Sequence, residues 1–173
     1  MPSSDALSPS LLLTLAFAAA LSLGLALKFW LASRQIRHVA RHRSTVPPAF
    51  AERIPLAAHQ KAADYTIAKG RLGLLEMALS AAVLLGWTLL GGLDALNQLL
   101  LGALGGGMWQ QLALLAAFAV ISGLIDLPLS LYQTFVVEER FGFNKMTWRL
   151  WVADAAKGLL VGAAIGLPVA ALI

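Results

Sequence analysis

Cysteine is absent from the 173 residues, which removes both a disulfide framework and a thiolate metal site. Charge is scarce as well. Only 13% of residues are Asp, Glu, Lys or Arg, against about 25% in soluble domains, while 59% are hydrophobic. With a mean hydropathy of +0.76, the chain falls outside the soluble range on both counts. It reads as an integral membrane protein forming one domain, residues 1–173. Lys and Arg are missing before Lys28, between Gly91 and Gln111, and after Lys157. Nine of the 13 lie between Lys28 and Arg71, and the rest are Arg140, Lys145, Arg149 and Lys157. Basic loops between apolar helices are explained by membrane topology. That sets nucleic acid aside and makes the lipid bilayer the expected partner.

What is present is four apolar runs. They predict an all-α, polytopic membrane protein with four transmembrane helices, about 10–31, 72–90, 112–137 and 155–173, each near the ~20 residues that cross a bilayer. The first run is preceded by Asp5 without a Lys or Arg, and is too long for a signal peptide, so it reads as an uncleaved span. Lys28, Phe29 and Trp30 mark its interfacial end, and Trp109, Trp148 and Trp151 fit the aromatic belt. Between spans 1 and 2 lie long helical extensions. "SRQIRHVARHRS" prolongs the first helix, Pro47-Pro48 breaks it, and Pro55 opens a second helix that runs toward span 2. Gly70 and Gly73 are its weak points. "NQLLLGAL" is too short to span. The Lys/Arg asymmetry places segments 32–71 and 138–157 in the cytoplasm and both termini outside, in a bacterial-type inner membrane.

Few residues carry chemistry. His38 and His42, in "HVARH", have the i, i+4 spacing of a zinc-binding H-E-x-x-H helix, but Val39 stands where the glutamate belongs and Arg37, Arg41 and Arg43 oppose a dication. His59 reads as a surface histidine. "GALGGG", Gly102–Gly107, lacks the Lys-Ser/Thr of a phosphate loop. Asp126 lies well inside the third span, where a carboxylate costs roughly 2.5–3.5 kcal/mol on insertion scales. Pro128 invites a kink there, and Ser122, Ser130, Tyr132 and Gln133 add polar groups. Either a wet interior or a protonated, hydrogen-bonded acid between helices accounts for Asp126. Gly158, Gly162 and Gly166 recur every four residues and mark a helix-packing face.

Three segments add a resemblance: "RQIRHVARHRSTVPPAF", "AAHQKAADYTIAKGRLGLLE" and "LPLSLYQTFVVEERFGFNKMT". Together, from about Gln35 to Lys157, they resemble the N-terminal membrane domain of type I CAAX prenyl proteases, which are integral-membrane zinc metalloendopeptidases. The densest piece runs from Leu129 to Lys145, supported by the Gln60, Tyr65, Lys69 spacing and by Asp154 with Lys157. The resemblance implies helices that wall a water-filled chamber where peptide is cut at zinc. It implies that Asp126, Tyr132, Glu138, Glu139, Arg140, Asn144 and Lys145 face that chamber or its rim. Substrate contact and the tying of helix ends are both open to them.

The sequence holds no H-E-x-x-H, and the family pattern continues with a fifth span. No catalytic residue and no metal ligand is therefore carried over. No cofactor is expected in this chain; zinc is implied for the complete enzyme, where it would activate water and polarise the carbonyl. The chain is expected to be a fragment, a truncated product or one piece of a split enzyme, inactive alone. Its partners would be a catalytic C-terminal portion, in the same or a separate chain, and a peptide substrate only in the complete enzyme. The alternatives are a small proton-handling transport subunit built on Asp126, or a non-enzymatic membrane scaffold.

Overall fold

A computed structural model describes residues 8–172, and among these there is helix but no strand. Helix α1, Pro9–Arg41, starts where Ser8 accepts the Leu11 amide at 3.3 Å and proline occupies the first turn. At 33 residues, about 50 Å at 1.5 Å per residue, it outruns a bilayer core of about 30 Å. A short 3₁₀ turn, Pro48–Phe50, follows the proline pair. Helix α2, Leu56–Thr88, then runs unbroken through Gly70 and Gly73. Gly91 (φ 78°) leads into the short helix α3, Gly92–Leu104, which Gly105 (φ 70°) ends. Both have a positive φ that an L side chain resists.

Helix α4, Met108–Phe141, is the long third span. It is α-helical over Met108–Tyr132, π-helical over Gln133–Glu138, and closes on Glu139–Phe141. Helix α5, Trp148–Ala171, begins seven residues before the span read from hydropathy, because Thr147 caps it by accepting the Leu150 amide at 3.3 Å. Four helices, α1, α2, α4 and α5, are long and apolar enough to cross a membrane. The fold is thus all-α with four spans and helical extensions between the first two.

The chain divides into two compact units, up to Leu85 and from Gly86 onward. In the first, α1 and α2 run antiparallel. Arg43 meets Asp64, Ile36 lies against Gly70, and Ala20–Lys28 shares a groove with Met77–Leu84. Glycine at position 70 is required by closeness: a Cβ there would stand 2.8 Å from Ile36 Cγ1.

In the second unit, α4 is fastened to α3 and to the end of α2 by one polar contact each. Gln110, only 5% exposed, donates to Asn97 Oδ1 at 2.6 Å. The Trp87 indole donates to Ser122 Oγ at 3.1 Å and meets Phe118 edge-on, with centroids 5.1 Å apart. Buried amides and indoles need such partners in an apolar medium. An open groove of about 570 Å³, lined by Trp87, Asp94, Asn97 and Leu114 among others, lies alongside.

Candidate functional site

The segment with the densest chemistry is the end of α4 and the turn into α5. Its backbone explains its sequence. The Phe143 amide donates to the Glu138 carbonyl at 2.9 Å, and the Gly142 amide to the Glu139 carbonyl at 2.9 Å. With Gly142 at φ 75°, ψ 22°, this is the paired-bond helix stop in which a left-handed residue satisfies two otherwise orphaned carbonyls. Asn144 completes it. Its amide nitrogen donates to Glu139 Oε2 at 2.9 Å, and its oxygen accepts the Met146 amide at 2.7 Å. Phe135 and Trp148 stack across the turn, with centroids 4.0 Å apart and planes 7° from parallel. Trp151 meets Trp148 edge-on at 6.4 Å.

The seven residues read as chamber-facing fall into two groups. Glu138, Glu139, Arg140, Asn144 and Lys145 share this turn. The Arg140 guanidinium lies 5.9 Å from the Phe141 ring centre, and Lys145 is exposed. Tyr132, 51% exposed, ends the α-helical part of α4. Asp126 lies 12 residues before Glu138, about 18 Å along the axis, so the structure does not bring it to the turn. Asp126 is exposed and has no hydrogen-bond or ion-pair partner among the described residues. On α5, a Cβ placed at Gly158, Gly162 or Gly166 would meet nothing within 4 Å. Among the described residues that small-residue face is open.

A second polar cluster lies in the α1–α2 hairpin, beyond the apolar parts of both helices. Arg43 grips Asp64 with two parallel bonds, Nε to Oδ1 at 2.6 Å and Nη2 to Oδ2 at 2.8 Å. The hydrogen bond to Asp64, and then its charge, push the Arg43 pKa up from its ordinary value. The His59 ring nitrogen lies 3.0 Å from the His42 carbonyl, and His42 Nδ1 lies 2.8 Å from the His38 carbonyl. Both carbonyls also accept a backbone amide, that of His38 from His42 at 3.2 Å and that of His42 from Thr45 at 3.3 Å, so the rings add second bonds at the end of α1. Lys69 donates to the Tyr65 hydroxyl at 3.3 Å, with its ammonium 5.5 Å from the ring centre.

Sequence reasoning missed the Arg43–Asp64 clamp, the Asn97–Gln110 bond and the π-helical segment. The clamp joins residues 21 apart in sequence, so no local pattern reveals it. Asn97 and Gln110 were visible as amides flanking a glycine turn between apolar helices, which was the available signal.

A family model described as the CAAX prenyl protease N-terminal region, with five membrane helices, matches residues 35–173. The CAAX prenyl protease 1 homolog of Caenorhabditis elegans is 32% identical over 168 residues, covering 88% of this chain and 34% of that protein. CAAX prenyl protease 1 of Saccharomyces cerevisiae is 50% identical over 60 residues, 35% of this chain and 13% of that protein. The crystal structure of S. mikatae Ste24p matches with a TM-score of 0.81 and 29% identity, over 91% of this chain and 38% of that one. The chain therefore spans between 13% and 38% of the length of these three proteins.

Proposed function

The chain belongs to the CAAX prenyl protease N-terminal family, and from that premise we propose that it forms part of the wall of an intramembrane chamber in a peptide-hydrolysing protease. One observation carries this reading: the match to Ste24p extends over 91% of the chain at a TM-score of 0.81. The chain would act as a single N-terminal membrane domain, with segments 32–71 and 138–157 on the cytoplasmic face of a bacterial-type inner membrane. Its Lys and Arg residues support that orientation. In the complete enzyme, peptide would reach the chamber past the α4–α5 turn, with Tyr132, Arg140 and Lys145 as exposed groups able to meet it. Glu138, Glu139 and Asn144 instead hold the turn in shape through the bonds described above.

Zinc is implied for the complete family enzyme, and a catalytic zinc site takes three protein ligands. Among the described residues, no three His, Cys, Asp or Glu side chains come together to hold a metal. His38 and His42 have the spacing, with ring centroids 4.3 Å apart, but one ring faces a carbonyl and Arg37, Arg41 and Arg43 are their neighbours in sequence. These residues do not fit zinc, and no hydrolytic step is routed through them. The catalytic portion would come from elsewhere in the protein or from a second chain.

Co-expression tests this. The chain and a polypeptide supplying the H-E-x-x-H part are produced separately and together, and cleavage of a prenylated C-terminal peptide is measured. Cleavage is expected only from the combination. Equal cleavage by the catalytic polypeptide without this chain would overturn the proposal.

A further inference from the structure

Between the membrane halves of α1 and α2 runs a groove of about 290 Å³ lined by Ala20, Leu21, Gly24, Leu25, Lys28, Met77, Ser80, Ala81 and Leu84. Small residues at positions 20, 24, 80 and 81 create the depression. A Cβ at Gly24 would have no neighbour within 4 Å. The groove extends from Ala20 to Lys28, about 12 Å of helix, close to the ~15 Å depth of one leaflet's hydrocarbon. At its end stands Lys28, exposed and without an ion-pair partner among the described residues. Trp30 and Arg34 follow at the interface, the Arg34 guanidinium 5.4 Å from the Trp30 ring centre. Arg37 and Arg41 continue the charge outward, both exposed and unpaired among the described residues.

We propose that this groove is a phospholipid site: one acyl chain lies along Gly24 and Ala81, and Lys28 binds the phosphate of an anionic headgroup. Length and charge select this occupant together. A groove of leaflet depth ending in a cation matches a lipid that has an apolar tail below an anionic head. Lipid tails are as apolar as Leu, so moving a tail from bulk lipid into the groove brings no hydrophobic gain. Residence then comes from close packing in the groove. Headgroup preference comes from Lys28, the one cation that lines the groove. This inference is independent of the protease reading.

The test uses the chain in nanodiscs of mixed phosphatidylcholine and phosphatidylglycerol, released into detergent for native mass spectrometry. One phosphatidylglycerol per chain is expected to be retained, favoured about fivefold over phosphatidylcholine through a single cation. Lys28→Gln should erase that preference while lipid is still retained. Gly24→Leu should fill the groove and expel both lipids; if it disturbs assembly, Ser80→Leu fills the groove from α2. The proposal is overturned if filling leaves retention unchanged, or if Lys28→Gln keeps the preference. It is also overturned if a photocrosslinker at Ser80 captures polypeptide, a second copy or another helix, in place of lipid.

Discussion

Gly142 gives the sharpest measurement of how the α4–α5 turn is built. It is exposed, and Gly142→Ala acts on it first through backbone conformation. Alanine at φ 75° costs about 1–2 kcal/mol in the left-handed region. The chain can escape that strain only by giving up the bonds from Phe143 and Gly142 to the Glu138 and Glu139 carbonyls, each worth about 0.5–1.5 kcal/mol. Both routes cost about the same, so the turn should lose about 1–2 kcal/mol, a factor of roughly 5–30 in its opening equilibrium. Amide hydrogen exchange at Phe143 and Asn144 reads this directly, since both donate to the Glu138 carbonyl, at 2.9 and 3.3 Å. Their protection should fall by that factor in Gly142→Ala, and by less in Gly142→Asn, because asparagine tolerates the left-handed region. Unchanged protection in the alanine variant, or equal losses in both, would refute the account.

Three further expectations concern other parts of the chain. Gln110→Leu strands the Asn97 oxygen and should lower stability by about 1–3 kcal/mol; adding Asn97→Leu should recover most of it in a thermal melt. Arg43→Ala should expose the Ser44–Pro55 segment to protease, and the swap Arg43→Asp with Asp64→Arg should restore protection. Asp64 raises the Arg43 pKa above the ordinary arginine value, so the clamp's contribution is fully present below that ordinary value and is lost only as pH climbs past the raised one; alkali up to about pH 10 should leave the clamp closed. Asp126→Asn should leave peptide cleavage by the complete enzyme within about twofold, since Asp126 lies about 18 Å from the turn; an abolished proton-coupled flux would instead favour the transport reading.

The spans were legible because hydropathy and Lys/Arg placement act over some twenty residues at once. The same sums blur helix ends. Trp148, Arg149 and Trp151 lowered the apolar signal of α5, so its start was read at Ala155, although Thr147 caps a helix from Trp148. The continuity of α2 was readable from Pro55 onward because only glycines, and no proline, interrupted the pattern. The seven site residues were chosen from one stretch of sequence, and five of them do share one turn. That Glu139 and Asn144 bond to each other was hidden, because pairing across a turn depends on the left-handed Gly142 between them. The π-helical segment left no signal, since apolar spacing in a membrane helix marks lipid exposure and not the hydrogen-bond step.

The π-helical stretch Gln133–Glu138 also sets a phase offset within α4. A wider i to i+5 step takes up one extra residue, worth about 100° of rotation in an α-helix. The face that carries Ser122, Asp126 and Ser130 therefore cannot be extrapolated by the 3.6-residue rhythm to Glu138 or Phe141. Two azimuths share one helix, and deletion of Gln133 or Thr134 would bring them back into step. Phe135 would then leave its stack on Trp148, and the turn would face a different direction with every residue of its own sequence unchanged.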